Sequence, residues 1–444
     1  MGSPATDTIV AIATAGGRAG VAIVRISGPA VPAVAARLIG GLPPPRAARL
    51  VTVVDENGEA IDRGLALYFT APASYTGDDV LELQVHGGAY LPSQVVRAAV
   101  AAGARHAEAG EFSRRAFLNG RLDLAQAEAV ADLISAGSRA QAQAALRSLS
   151  GEFSRDVAAL SSALLAARVE LEASIDFSEE DLPPGSSDRQ AKALDALVRN
   201  ARALLDRTER GQRLTQGRTV VLAGRPNAGK SSLMNRLART DAAIVSPIAG
   251  TTRDLIRADV QLGSVSLELV DTAGLRGDPD AIEAEGIRRA REAMARADHV
   301  LYLVDAADAE ALAALTDDVA QIRSALNPIV VYTKIDRAPA PPGALGVSTL
   351  TGAGLDGLVA RLQSLAGADE TGTSAFSARA RHVDAVRRAL TALEAARSRL
   401  HAGAGSELVA EELMTAQAAL GEITGVVHND DLLGAIFATF CIGK

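Results

Sequence analysis

The stretch GRPNAGKS, from Gly224 to Ser231, decides the fold of the central part of this chain. It fits the pattern Gly-x4-Gly-Lys-Ser/Thr, which is typical of a phosphate-binding loop. The backbone N–H groups of such a loop surround phosphate oxygens at the N-terminus of a helix, where the helix dipole also favours negative charge. Lys230 can reach the β- and γ-phosphates, and the Ser231 hydroxyl can ligate Mg²⁺.

The residues on both sides of the loop fit a strand and a helix. RTVVLA, residues 218–223, predicts a buried strand, and SSLMNRLA, residues 231–238, has the period of an amphipathic helix. A glycine turn that binds nothing would also join a strand to a helix. The lysine and serine, in this strand–loop–helix context, favour the phosphate site.

The region around the loop, from about residue 216 to 366, alternates strands and helices. Apolar runs at residues 267–271, 300–305 and 328–333 are typical of parallel strands that are buried on both faces. Ligands bind beyond the carboxyl ends of such strands, so a nucleotide site is predicted there.

Two motifs in this region can bind Mg²⁺. DTAG, Asp271–Gly274, follows a predicted strand, so Asp271 can hold Mg²⁺ through water and the Gly274 N–H can sense the γ-phosphate. GTTRD, residues 250–254, offers Thr252 as a second hydroxyl ligand.

Two further motifs can recognise the base. In TKID, Asp336 can accept hydrogen bonds from the N1–H and the amine of guanine, a donor pair that adenine lacks, while Lys334 lies along the base. VST, residues 347–349, can place a backbone N–H on the guanine oxygen. The four motifs in this order predict GTP as the nucleotide.

The residue after DTAG is Leu275, which cannot orient a water molecule, whereas Ras-type enzymes use a glutamine there. Hydrolysis therefore needs another group. A monovalent cation near the β- and γ-phosphates could supply positive charge. The Asn227 carbonyl and carbonyls of the 246–251 loop could ligate it, although Asn227 also fits a plain turn.

The rest of the chain predicts two other kinds of structure. Residues 1–119 alternate short strands with turns, and helical periodicity there is confined mostly to residues 31–38 and 93–102, which predicts a small α+β domain. Residues 120–215 and 367–444 have long Ala/Leu-rich helical patterns. One helical domain interrupted by an inserted nucleotide-binding domain is the natural inference, although two separate bundles would produce the same pattern.

Composition limits the functional classes. The 444 residues are 48% hydrophobic and carry a formal net charge of −8, which is unfavourable for non-specific nucleic-acid binding. A single cysteine excludes an internal disulfide. No apolar run is long enough for a membrane span, and the first residues lack a signal-peptide core. A cytoplasmic protein with no membrane association is expected.

These motifs, with the terminal FCIGK (Phe440–Lys444), resemble the MnmE (TrmE) family of GTPases that modify tRNA uridines. The N-terminal stretches DTIVAIAT, GVAIVRISG, SYTGDDVLELQVHGG and GEFSRRAFLNGRLDLAQAEAVADLI are similar to that family as well. The resemblance covers essentially the whole chain.

The resemblance implies an architecture and a reaction. An N-terminal domain would bind a tetrahydrofolate one-carbon donor (5,10-methylene- or 5-formyl-tetrahydrofolate) and form a homodimer, and a helical domain would carry an inserted Ras-like G domain. With MnmG, a partner that contains FAD, the family adds a carboxymethylaminomethyl or aminomethyl group to carbon 5 of the wobble uridine, position 34, of certain tRNAs. GTP hydrolysis would occur with K⁺ and Mg²⁺ bound when two G domains meet.

The resemblance also assigns roles by position. Glu283 would orient the attacking water, Lys230 would act on the phosphates, and Cys441 would lie near the folate pocket in an undecided chemical role. Ser231 and Thr252 would hold Mg²⁺; the K⁺ ligands would be Asn227, Ser246, Ile248 and Thr251. The residues expected around folate are Arg25, Glu82, Arg121 and Lys444. Those expected around GTP are Asn227, Ala228, Gly229, Lys230, Ser231, Ser232, Ser246, Pro247, Ile248, Ala249, Gly250, Thr251, Thr252, Asp271, Thr272, Ala273, Gly274, Thr333, Lys334, Asp336, Ser348 and Thr349.

Two positions depart from the family pattern. Thr333 stands where an asparagine usually braces the phosphate loop, so guanine affinity is expected to be weaker while Asp336 preserves specificity. Arg121 stands where lysine is common, which changes the donor geometry. The main alternative function is a ribosome-assembly or RNA-binding GTPase, which would need a basic segment. A membrane-transport G domain and a helical scaffold with an inactive nucleotide site are weaker alternatives.

Overall fold

The structure is a computed structural model that describes residues 7–176, 186–216, 218–238, 256–262, 265–271, 294, 297–322, 328–365, 375–403, 405–427 and 430–443. The chain divides into two compact units. One contains Met1–Ala131, Ser148–Leu205 and Asp384–Lys444, and the other contains Asp132–Arg147 and Asp206–Val383.

The first unit begins with a six-stranded sheet of order β3-β4-β5-β2-β1-β6, in which only the short β6 is parallel to its neighbour. The strands are β1 (Ile9–Ile12), β2 (Ala19–Ser27), β3 (Arg49–Val54), β4 (Ala60–Phe69), β5 (Val80–Gly87) and β6 (Arg105–His106). The alternation of short strands and turns predicted for residues 1–119 is confirmed.

Helices cover the two faces of this sheet unequally. Helices α1 (Val31–Ile39) and α2 (Leu91–Ala101) pack on one face, where alternate strand residues form the main core. Helix α3 (Glu111–Leu118) covers only the β1 end of the other face, through a small cluster that contains Ile9, Ala11 and Phe112.

The sequence pattern did not predict α3, and its buried charges explain why. Glu111 and Arg115 are buried on this helix, so the inward face does not read as apolar. Arg105 donates two hydrogen bonds to Glu111, at 2.6 and 2.9 Å, and Arg115 donates to Glu111 and to Asp7. Ion pairs thus replace the apolar contacts that periodicity detects.

Long helices make up the remainder of the first unit and extend into the second. Their bounds are α4 (Leu124–Ser135), α5 (Arg139–Leu149), α6 (Glu152–Asp176), α7 (Ser186–Gln216), α11 (Ala380–His401), α12 (Ser406–Thr424) and α13 (Asp430–Ala438), and the three helices between α7 and α11 flank the second sheet. In the first unit α6 packs along α12, and Phe437 of α13 packs in one cluster with Leu124 and with Phe440, which follows the helix.

The second unit contains a mostly parallel sheet of order β12-β11-β10-β7-β9-β8. Its elements are β7 (Arg218–Ala223), α8 (Lys230–Ala238), β8 (Ile256–Leu262), β9 (Val265–Asp271), β10 (His299–Asp305), α9 (Ala309–Ile322), β11 (Ile329–Thr333), β12 (Leu345–Val347) and α10 (Leu355–Leu365). Only β8 is antiparallel, and it is an edge strand that the apolar-run pattern missed because its residues alternate.

The predicted fold class is confirmed: an α+β N-terminal part, a helical part and a mostly parallel sheet behind a phosphate loop. The predicted division at residues 119, 215 and 366 remains a prediction. Among the described residues, no helix combines the length and apolarity that crossing a membrane requires.

Candidate functional site

The phosphate loop joins β7 to α8, and its backbone conformation requires glycine at two positions. Gly224 has φ +141°, and a Cβ there would lie 2.3 Å from the Leu303 carbonyl oxygen of β10. Gly229 has φ +91°, and Asn227 adopts the left-handed conformation at φ +60°, which asparagine tolerates better than most residues. The loop therefore curls at the carboxyl end of the sheet, where the sequence predicts the site.

Lys230 is buried at the first position of α8. Its Nζ donates to the carbonyl oxygens of Gly224 and Arg225, at 2.7 and 2.9 Å, so the ammonium group folds back over the loop. Burial lowers the pKa of Lys230, while the charge of Asp271 opposes that shift. The lysine is thus held where the loop's backbone surrounds a phosphate group.

Ser231 and Asp271 meet at the carboxyl end of β9. The Ser231 hydroxyl donates to Asp271 Oδ2 at 2.5 Å, and Asp271 is fully buried. A hydroxyl and a carboxylate oxygen in contact beside a phosphate loop are hard oxygen ligands, the kind that Mg²⁺ prefers. The donor set of this chain therefore fits Mg²⁺.

Thr333 braces the phosphate loop from the neighbouring strand end. Its buried hydroxyl lies 2.8 Å from the Ala228 carbonyl oxygen and 3.2 Å from that of Val304. The contact with Ala228 links the base-recognition motif to the phosphate loop. The hydroxyl therefore makes the bracing contact that the sequence assigns to this position.

The other base-recognition residues converge on the same edge. Lys334 has φ +55°, and its Nζ donates to Asp305 Oδ2 at 2.6 Å. Burial alone would raise the pKa of Asp305, but the Lys334 contact holds it below its ordinary value. Ser348 donates to Asp336 Oδ1 at 2.5 Å, which orients that carboxylate.

The remaining predicted nucleotide residues are partly described. Ser232 follows Ser231 in the first turn of α8, and Thr349 follows Ser348 after β12. The predicted residues that lie outside the described part of the chain are Ser246, Pro247, Ile248, Ala249, Gly250, Thr251, Thr252, Thr272, Ala273, Gly274, Glu283 and Lys444.

A second group of polar residues lies on the N-terminal sheet. Arg25 of β2 is directly opposite Glu82 of β5, and its Nη2 and Nε lie 2.8 and 2.9 Å from Glu82 Oε1. The Arg25 guanidinium also lies over the rings of Tyr75 and Phe112, at 5.3 and 5.6 Å from their centroids. The edge of a pterin ring carries both donors and acceptors, so an Arg–Glu pair is a chemically suitable partner for it.

The C-terminal residues lie in the same compact unit. The Gly110 N–H donates to the Cys441 carbonyl oxygen at 3.4 Å, and Ile442 forms a β-bridge with Ala109. Gly443 lies so close to β1 that a Cβ would be 2.2 Å from the Ile12 carbonyl oxygen. The Cys441 residue is exposed. The structure thus brings the predicted C-terminal motif to the strand that pairs with β2.

Sequence reasoning did not single out several residues that support these sites. Arg225 of the phosphate loop pairs with Asp318 of α9 at 2.9 Å, and Tyr302 donates to the same carboxylate at 2.7 Å. Asp305 and Tyr75 were likewise missed. The short motifs name residues that contact ligands, whereas these residues contact other side chains across the fold.

Two family models match the chain. The one described as "GTP-binding protein TrmE N-terminus" matches residues 8–121, and the one described as "MnmE helical domain" matches residues 124–441. The chain belongs to the MnmE family. The MnmE resemblance of the motifs is thereby confirmed.

MnmE proteins from other organisms are similar to this chain over almost its whole length. The chain is 50% identical to "tRNA modification GTPase MnmE" of Alkalilimnicola ehrlichii, over 99% of this chain and 100% of the relative. It is 46% identical to proteins of the same name from Nitrosococcus oceani, with 99% and 97% covered, and from Methylococcus capsulatus, with 100% of both covered. The chain therefore matches these three relatives over 97–100% of their own length.

Proposed function

We propose that this chain hydrolyses GTP and acts in the modification of tRNA. The observation that carries the proposal is the 2.5 Å contact between Ser231 and Asp271 beside the buried Lys230, in a chain of the MnmE family. The base-recognition residues add support, because the contact with Ser348 orients the Asp336 carboxylate at the same edge of the sheet.

Each residue has a distinct role in the proposed hydrolysis. Lys230 and the loop N–H groups bind the β- and γ-phosphates, and Asp336 selects guanine. Ser231, Thr252 and Asp271 would hold Mg²⁺, which neutralises phosphate charge when it is bound. Glu283 orients the attacking water, since Leu275 cannot do so.

A potassium ion is the proposed second cation of this site. Asn227, Ser246, Ile248 and Thr251 would be its ligands, and it would add positive charge near the β- and γ-phosphates. Hydrolysis is expected to be fast in KCl and slow in NaCl of equal ionic strength. Equal rates in the two salts would contradict the cation role.

The proposed tRNA reaction takes place with a partner. Together with MnmG, which would carry FAD, the chain adds a carboxymethylaminomethyl or aminomethyl group to carbon 5 of uridine 34 of certain tRNAs. A tetrahydrofolate derivative supplies the one-carbon unit. Its proposed site consists of Arg25, Glu82, Arg121 and Lys444, with Cys441 nearby, and is supported by the Arg25–Glu82 pair.

The proposed assembly is a homodimer in the cytoplasm, where tRNA is found. Its N-terminal domain spans residues 1–119, its helical domain spans residues 120–215 and 367–444, and the inserted G domain spans residues 216–366.

Nucleoside analysis of bulk tRNA tests the proposal. Cells that lack this chain should lose the carbon-5-modified wobble uridine. The wild-type chain should restore it, and so should Lys192→Ala, which removes an exposed lysine of α7. Lys230→Ala should not restore it. A nucleoside profile that does not depend on the chain would instead favour a ribosome-assembly GTPase.

A further inference from the structure

The loop of residues 74–79, with the sequence SYTGDD, lies beside Arg25 and Arg121, the two arginines of the proposed folate site. We call it the Tyr75 loop. The ring of Tyr75 lies 5.3 Å from the Arg25 guanidinium, within the range of a cation–π interaction. The Tyr75 hydroxyl pairs with the Ser113 hydroxyl of α3 at 2.8 Å. Arg25 is thus held between Glu82 on one side and an aromatic surface on the other.

Internal hydrogen bonds hold the Tyr75 loop in one shape. Ser74 Oγ donates to the Asp78 carbonyl oxygen at 2.5 Å and accepts from the Gly77 N–H at 3.0 Å. Thr76 is fully buried and shares a 2.8 Å hydroxyl contact with Ser27 of β2. Asn119 Nδ2 donates to the Thr76 carbonyl oxygen at 2.7 Å. These contacts tie the loop to β2 and to the end of α3.

Gly77 sets the distance between the Tyr75 loop and Arg121. Gly77 has φ +86°, and a Cβ there would lie 2.8 Å from Asn119 Cβ and 3.3 Å from Arg121 Cγ. The absence of a side chain at Gly77 lets the stem of Arg121 pack on the loop backbone. The same six-residue loop therefore lies beside both arginines.

We propose that the Tyr75 loop is a positioning element that fixes Arg25 and Arg121 for binding of a tetrahydrofolate derivative. The inference rests on the proposed folate site. Neither Tyr75 nor Gly77 needs to touch the folate: Tyr75 acts through the Arg25 guanidinium, and Gly77 acts through the room it leaves for Arg121. Fixing the two side chains before binding reduces the entropy that binding would otherwise lose.

The first test measures the affinity of the full-length chain for 5-formyl-tetrahydrofolate by calorimetry. Tyr75→Leu removes one of the two rings beside the Arg25 guanidinium, leaves that of Phe112, and should weaken binding about two- to thirty-fold, the range that a cation–π contact spans. Tyr75→Phe keeps the ring, loses only the contact with Ser113, and should retain affinity within about twofold. GTP affinity should be unchanged in both variants.

The second test compares two glycines with the same backbone conformation. Gly77→Ala and Gly58→Ala impose similar strain, because φ is +86° and +83°, but a Cβ at Gly58 meets nothing within 4 Å. Gly77→Ala should weaken folate binding, whereas Gly58→Ala should not, even if both lower thermal stability equally. This pair tests the proposal also if Tyr75→Leu does not fold.

The outcomes distinguish failure of the proposed folate site from failure of the positioning role of the Tyr75 loop. If the wild-type chain does not bind the folate, the proposed folate site is wrong. If the wild type binds it and Tyr75→Leu and Gly77→Ala bind equally well, the site stands and the positioning role is wrong. If Tyr75→Phe weakens binding as much as Tyr75→Leu, the hydroxyl contact with Ser113, not the aromatic face, positions Arg25, and the cation–π argument is overturned.

Discussion

The nucleotide site and the Arg25 site are held in place by different forces. At the nucleotide site the backbone dominates. Gly224 allows the phosphate loop to approach the Leu303 carbonyl closely, and carbonyl oxygens of the loop accept hydrogen bonds from Lys230 and Thr333. At the Arg25 site side-chain charges and rings dominate, through Glu82, Tyr75 and a helix α3 that ion pairs anchor. The first should be sensitive to the loss of single donors, and the anchoring of α3 beside the second should be sensitive to pH.

The largest expected effect concerns the water-positioning role at the nucleotide site. Glu283→Ala should leave GTP binding intact and lower kcat about 10²- to 10⁴-fold, the range for a positioned general-base function. Steady-state hydrolysis and nucleotide titration measure the two quantities separately. An unchanged kcat would remove Glu283 from the mechanism.

The second prediction tests the ion pairs of Glu111 that anchor α3 beside the Arg25 site. Although burial alone would raise the pKa of Glu111, hydrogen bonds from Arg105, from the Glu108 N–H and from Arg115 hold it below its ordinary value of 4.5. Since the folded-state pKa is lowered, this contribution to the free energy of unfolding is present above about pH 4.5 and is lost as pH falls through the folded-state value. Glu111→Gln should therefore cost about 3 kcal/mol at pH 7 and less at pH 3, which lies below the ordinary pKa of 4.5.

Chemical denaturation at the two pH values measures this difference. Glu59→Gln makes the same change at an exposed turn residue, so it should cost little at either pH. A cost for Glu111→Gln that does not vary with pH would mean that packing, and not charge, anchors α3.

The same contrast explains what could be predicted from the sequence. The strands around the phosphate loop, and the residues Lys230, Ser231, Thr333 and Asp336, follow from apolar runs and motifs, because backbone geometry requires particular residues at fixed spacings. Arg25 and Glu82 were linked only by family resemblance, since their contact depends on the register between β2 and β5. The support from Tyr75, Phe112 and α3 was not predicted, because buried ion pairs hide the amphipathic pattern.

The third prediction concerns the Thr333 hydroxyl, which links the base-recognition motif to the phosphate loop. Thr333→Val has nearly the same volume but leaves the buried carbonyls of Ala228 and Val304 without this donor. A lost buried hydrogen bond costs about 1–3 kcal/mol, so GTP affinity should fall about 5- to 150-fold. Thr333→Ser keeps the donor and should stay close to wild type in a fluorescent-nucleotide titration. If both variants lose affinity equally, the methyl packing of Thr333 matters and its hydroxyl does not.

The smallest expected effect comes from Asp305, where the nucleotide site depends on a side-chain ion pair, as the Arg25 site does. Asp305 Oδ2 accepts from Lys334 at 2.6 Å while its Oδ1 accepts from the Ala307 N–H at 3.0 Å. Asp305→Asn keeps an acceptor oxygen and removes only the charge. Since the pair is partly exposed, the loss should be about 0.5–1 kcal/mol, which corresponds to a two- to five-fold weaker GTP affinity.

Asp317→Asn supplies the matched control for this last change, because it removes an equal charge from an exposed position on α9. A nucleotide titration at low and high salt then separates two explanations. If Asp305 fixes Lys334 locally, its variant should weaken binding at both salt concentrations while the control does not. If both variants change affinity equally and salt removes the difference, the net charge of the domain is responsible, because salt screens separated exposed charges far more than a close, partly buried pair. In that case the Asp305–Lys334 pair would have no local role in holding the nucleotide site.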